Sequence, residues 1–300
     1  MARSLLPGKP MKRIAVLAAA LVVAAPPARG QEWRYGLQVD ASHESNATNG
    51  IYDGKKSDNV FAVEGAATRP FLLSERSGLL LRGSARYERY ADITGLSNFA
   101  LTGRAAWRIQ PTLGFGTPVY EIAGQIRRLI YPDSDLRDGT LATAEARVGS
   151  NLTDRLRISG GFGVDHRNGG NAAGVHVFDY TQHRIFGTFD LGVGLNNTVY
   201  GSVTRIGGDQ VFSSGSEDGL STNWADDPAL RAPLGLTTAN IYRVDAITLA
   251  SELGINIPFG TDRALDFGLV HYDSKIDQGP EAGERYRAWS VRATFLYHFR

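Results

Sequence analysis

The chain has 300 residues, with 32 basic against 31 acidic side chains, no cysteine, 35 glycines, 25 phenylalanines and tyrosines together, and only 2 methionines. The missing cysteine excludes a disulfide framework and a thiolate metal site, and the balanced charge offers no basic surface for nucleic acid. Abundant glycine and aromatics favour turns and strands over helical bundles.

Residues 1–30 read as a secretory signal peptide. Lys12 and Arg13 precede the apolar run 14–25, and Pro26-Pro27-Ala28-Arg29-Gly30 supplies a breaker and small residues before Gln31. About a dozen apolar residues are too few to span a bilayer as a helix. Met11 is the better start, and no Cys follows the apolar run, which argues against a lipoprotein. Five basic residues and no acidic one lie in this segment, so the mature chain 31–300 carries a net charge of −4.

From Gln31 onward, apolar and polar residues alternate with a period of two, the pattern of strands with one apolar face. Trp33, Tyr35, Leu37 and Val39 open the series. Phe61, Val63, Gly65 and Ala67 follow, then Leu79 to Tyr87, Phe99 to Ile109, Tyr120 to Ile126 and Ala144 to Val148. Leu156 to Val164, Ile185 to Leu191, Val199 to Val203 and Leu265 to Leu269 continue it. The phase over 240–256 is ambiguous, with Leu249, Leu253 and Ile255 taken as one face. The last strand, WSVRATFLYHFR, places Trp289, Val291, Ala293, Phe295, Tyr297 and Phe299 together, and is the twelfth.

The connections alternate in length. Those near 73–76, 110–117, 151–154, 194–197 and 258–262 are short. Those at 45–59, 131–139, 168–176, 206–236 and 274–284 are longer and rich in Gly, Asp, Asn and Ser. Short turns on one rim, long loops on the other and an even strand count describe an all-β, antiparallel, up-and-down transmembrane barrel of about 12 strands (range 10–14). Both termini are then periplasmic. A soluble sandwich or lipocalin-type barrel would show the same periodicity with inside and outside exchanged. The export segment favours the membrane. So do a polar face rich in Arg and Glu, and aromatics near strand ends such as Tyr87, Tyr90, Trp107, Tyr131 and Tyr286.

The final Phe295-x-Tyr297-x-Phe299 resembles the C-terminal recognition signal of bacterial outer-membrane β-barrel proteins, although Arg300 follows the last aromatic where that pattern usually ends. The resemblance implies outer-membrane residence among phospholipid and lipopolysaccharide, and insertion by the barrel-assembly machinery. Size and architecture are similar to those of small porins, specific channels and barrel enzymes alike.

The polar face is expected to line the lumen with Arg82, Arg86, Arg104, Arg108, Arg127, Arg147, Arg157, Arg184 and Arg292, against Glu88, Glu121, Glu145, Asp165, Asp190 and Asp266. Two readings stay open: an anion-attracting pore wall, or a salt-bridged interior that fills the lumen. The segment 206–236 holds Asp209, Glu217, Asp218, Asp226 and Asp227 against Arg231 alone. It reads as a solvated loop, an inward constriction or a divalent-cation site.

Ser42-His43-Glu44-Ser45-Asn46 ends the first strand, with His43 and Ser45 on one face. An imidazole beside a serine can take its proton while a third polar group orients the ring. The stretch is similar to the His-x-Ser-Asn of outer membrane phospholipase A and of lipid A deacylases. That resemblance implies His43 as base, Ser45 as nucleophile and Asn59 as orienter, acting on acyl esters. Ala47 stands where the phospholipase pattern has Gly, and the bland reading is a polar strand end running into a loop.

The other histidines show no metal-ligand spacing, and no cofactor motif stands out. The sequence therefore leads to a porin-like channel for small polar or anionic solutes. Its alternatives are a serine lipid hydrolase and a non-conducting structural or export-accessory barrel.

Overall fold

The structure is a computed structural model that describes residues 32–51, 55–169, 176–194, 196–214, 224–278 and 282–299. The signal segment 1–30 and Arg300 lie outside the described residues. Twelve long strands form the wall: β1 (Arg34–Glu44), β2 (Asp58–Ser74), β3 (Ser77–Tyr90), β4 (Asn98–Ile109), β5 (Val119–Ile130), β6 (Gly139–Asn151), β7 (Leu156–Gly169), β8 (Tyr180–Val193), β9 (Asn197–Ser214), β10 (Asn240–Pro258), β11 (Arg263–Ile276) and β12 (Arg285–Phe299). Each pairs antiparallel with its sequence neighbour, and β12 returns to β1 from Tyr35 opposite Phe299 to Glu44 opposite Ser290. Closure leaves the long wall strands without a free edge, as a bilayer demands.

The faces are inverted relative to a soluble barrel. Ile126 is 63% exposed and Leu253 56% on the outside, whereas Asp40, Glu121 and Thr294 are buried on the inside. An apolar exterior wrapped around a polar interior is stable only in lipid, so the chain is a transmembrane barrel of the outer-membrane type. Leu249 and Leu253 are both exposed, which fixes the phase of β10 as read from the sequence.

Several strands run further than their periodicity suggests. β9 continues to Ser214 and pairs with β10 from Thr198 opposite Asn256 to Ser214 opposite Asn240, so much of the supposed loop 206–236 is strand. Gly207-Gly208-Asp209-Gln210 breaks the apolar alternation, and beyond it Val211 to Ser214 pack against the protein's own connections. Gly208, at φ +111°, is held where a Cβ would come within 2.6 Å of the Thr181 carbonyl oxygen. β7 and β11 likewise extend to Gly169 and Ile276, beyond the loop starts read at residues 168 and 274.

The long connections fold over one mouth as a packed cap. The β1–β2 connection crosses to β9, where Gly50–Ile51 pairs in parallel with Ser213 and Ser214. The Ser213 hydroxyl donates to the Thr48 carbonyl at 2.9 Å. A 3-10 turn at Thr94–Leu96 meets a short helix α1 (Pro228–Leu234) so closely that a Cβ on Gly95 would lie 2.7 Å from the Ala229 Cα. Ile93, Leu96, Leu136, Phe178 and Leu230 form an apolar cluster from four different connections. Asp227 caps α1 through the Ala229 N–H and accepts from the Ser134 hydroxyl at 3.1 Å and Arg137 Nε at 2.5 Å. Asp58, also buried, accepts from the Asp92 and Ile93 N–H groups and ties β2 to the 3-10 turn. The acidic connection thus folds onto the mouth. Asp227 is bonded as above and Asp226 accepts from Arg231 Nε at 3.0 Å, so neither is free for a cation. Glu217 and Asp218 lie outside the described residues.

Candidate functional site: a chambered lumen

Beneath the cap the interior is a series of polar cavities. The outermost, about 560 Å³, is lined among others by Glu44, Arg86, Arg137, Arg167, Tyr180, Gln182 and Arg292. A second, about 260 Å³, shares Tyr180 and Gln182 with it and is bounded by Arg104, Arg127, Glu145, Asp165 and Arg184. A third, about 500 Å³, is bounded by Arg108, Glu121, Arg147, Arg157, Asp190, Tyr200 and Glu252. The fourth, about 510 Å³, shares Arg157 and Asp190 with the third and opens among the short turns at 151–155 and 192–198.

Ion pairs stand where the chambers meet. Arg104 borders the second chamber and Glu121 the third, and they pair at 2.7 Å. Glu145 and Arg147 straddle the same divide at 3.2 Å. Arg292 borders the outermost chamber and Glu252 the third, at 3.3 Å. Residues on the same, adjacent or next-adjacent strands supply these pairs because the period of two brings every second side chain inward at neighbouring heights.

Most arginines singled out from the sequence have a carboxylate. Arg82 pairs with Glu64 at 2.8 Å, and Arg86 with Asp40, with Glu88 at 2.7 Å and with Glu64 at 3.8 Å. Arg108 pairs with Glu121 at 2.5 Å, and Arg184 with Asp165 and with Glu145 at 2.8 Å. Arg292 also reaches Asp266 at 3.6 Å, whose carboxylate accepts from the Tyr200 hydroxyl at 2.7 Å. Arg127 and Arg157 line chambers without a carboxylate partner among the described residues.

Sequence reasoning missed Asp40, Glu64 and Glu252 as partners. Asp40 and Glu64 carried a usable signal, since both sit on the polar phase of their strands. Glu252 lay in the segment of ambiguous phase. Arg137 and Arg167 were also missed: one is in a connection and the other ends a strand, where no periodicity selects an inward residue.

On the outer face His43 and Asn59 are cross-strand partners, with Nδ1 and Oδ1 3.0 Å apart. In the Nδ1–H tautomer His43 donates and its Nε2 is left as an acceptor. Ser45 is placed differently. Its hydroxyl oxygen accepts from the Trp289 N–H at 2.8 Å, and no hydrogen bond joins it to His43. The His43 ring lies 5.3 Å from the Trp289 ring. At the other rim, Tyr297 and Phe299 meet edge to face at 4.8 Å, and Phe295 lies 6.2 Å from Phe259. Among the described residues no group of three His, Asp or Glu is arranged to hold a metal ion.

No family model and no curated protein matches the chain. Among solved structures it is similar to the KdgM porin in complex with disordered oligogalacturonate, at TM-score 0.45 and 8% identity over 88% of this chain and 99% of that one. It is similar to the translocator domain of the autotransporter NalP from Neisseria meningitidis at TM-score 0.43 and 12% identity, covering 96% and 94%. An anion-selective porin from Comamonas acidovorans gives TM-score 0.40 and 8% identity, covering 90% and 100%. At these identities the similarity is one of architecture.

Proposed function

We propose that the protein is a porin-like channel for small polar solutes, with a preference for anions. The reading rests on one observation: the interior is a string of polar chambers leading from beneath the cap to the short-turn rim, rather than a packed core. A barrel used only as a structural plug has no need of such space. Arg127 and Arg157, without carboxylates, bias the path toward anions. The ion pairs at the divides narrow it and set a size limit. Planar-bilayer recording of folded protein tests the reading. Discrete conductance steps with a reversal potential on the anion side in a salt gradient are expected, and the absence of any current from folded protein overturns it.

A second reading, a serine hydrolase of outer-leaflet acyl esters, is favoured by the His43–Asn59 hydrogen bond alone. It requires Ser45 to leave the Trp289 N–H and turn to His43 Nε2. Acyl release from phospholipid or lipopolysaccharide that is lost in Ser45→Ala supports it, and no release by wild type removes it.

A further inference from the structure

The outermost chamber contains a buried cation with no carboxylate partner among the described residues. Arg167, at the outer end of β7, is 8% exposed and lines the chamber. The other arginines there have carboxylates: Arg86 has Asp40 and Glu88, Arg137 has Asp227, and Arg292 has Glu252. Arg167 has none among the described residues. Its Nη2 donates to the Arg137 carbonyl at 2.5 Å, and its Nε–H is buried with no acceptor among the described residues.

A guanidinium stays protonated, and burying it unpaired is costly. The stack on Phe178, 4.4 Å from ring centroid to guanidinium carbon, offsets part of that cost. It occupies the face of the group and leaves the charge beside the chamber without a carboxylate. A carboxylate supplies the missing negative charge and a charge-assisted acceptor for the guanidinium. A doubly charged phosphate fits less well, because Glu88 borders the same chamber and disfavours a second negative charge. Tyr131, Tyr180 and Gln182 add hydroxyl and amide groups to an aromatic wall, and about 560 Å³ holds a small ring-bearing molecule.

We propose that this chamber is a binding station for small ring-bearing monocarboxylates, held by Arg167 and packed against Tyr131 and Tyr180. As a step in transport the station rests on the channel reading, whereas binding itself is measured without current. The experiment is calorimetric titration of the whole folded protein in detergent micelles with 4-hydroxybenzoate, its neutral amide 4-hydroxybenzamide, and inorganic phosphate. Saturable binding of one 4-hydroxybenzoate is expected, weakened about 30-fold or more by Arg167→Gln and by the amide, and partly kept in Arg167→Lys. Heat-modifiable gel migration verifies that each variant is folded.

Equal binding by Arg167→Gln, equal binding of the amide, tighter binding of phosphate, or no saturable binding by folded wild type overturns the station. A protein that conducts in bilayers but binds no carboxylate loses the station alone. One that binds but carries no current loses the channel reading and keeps a carboxylate site.

Discussion

Arg104 and Glu121 form a 2.7 Å ion pair at the boundary between two chambers, each residue bordering a different one. Glu121 also accepts from Arg108, so one buried carboxylate neutralises two arginines at this divide. Glu121→Gln therefore leaves two cations facing the path. The reversal potential in a salt gradient should move further to the anion side, while destabilisation stays near about 1–3 kcal/mol, the cost of losing a charged acceptor. An unchanged reversal potential in a conducting variant would show that the divide is not on the path.

The cap depends on Asp227, which serves the α1 N-terminus, Ser134 and Arg137 together. Asp227→Ala removes the carboxylate that accepts all three hydrogen bonds at a fully buried position, a local loss of about 2–4 kcal/mol. Because α1 lies over the mouth rather than in the wall, limited proteolysis should cut the connection between β9 and β10 faster. The thermal unfolding of the barrel should stay within a few degrees of wild type. Conductance should rise at the same time, since the cap covers the entrance to the outermost chamber.

Lipid exposure is tested at Ile126, 63% exposed on β5. Ile126→Arg puts a charge against the acyl chains and should cost about 2–4 kcal/mol near the bilayer midplane, read from reversible urea unfolding in lipid vesicles. The same substitution at an exposed position of a soluble barrel would be close to neutral.

The edge-to-face pair Tyr297–Phe299 closes the last strand opposite Leu37 and Tyr35. If these aromatics are the assembly address, Phe299→Ala lowers the yield of folded barrel in the outer membrane several-fold in cells. It leaves folding of purified protein into detergent nearly unchanged, because only one rim contact is lost. A matching fall in both settings would make the residue purely structural.

Period two was enough to number the strands and separate their two faces outside 240–256, because a lipid-facing wall must alternate at every position it exposes to the bilayer. The export segment, loop lengths and placement of aromatics decided which face meets lipid. The alternating loop lengths likewise placed the two rims. Periodicity stops at the membrane edge, and so did the reading. Gly207 to Ser214 reads as loop because its glycines break the alternation and its end, from Val211, packs against the connections.

Tertiary structure alone decided which charges meet. Asp40 reaches Arg86 from two strands away, and Arg137 reaches Asp227 across 90 residues of sequence. It also decided that the connections pack over the mouth, that ion pairs stand between the interior cavities, and that Arg167 is buried with no carboxylate partner among the described residues. Alternation says which way a side chain points, but its partner is set by register, barrel curvature and the path of loops, which are properties of the closed sheet.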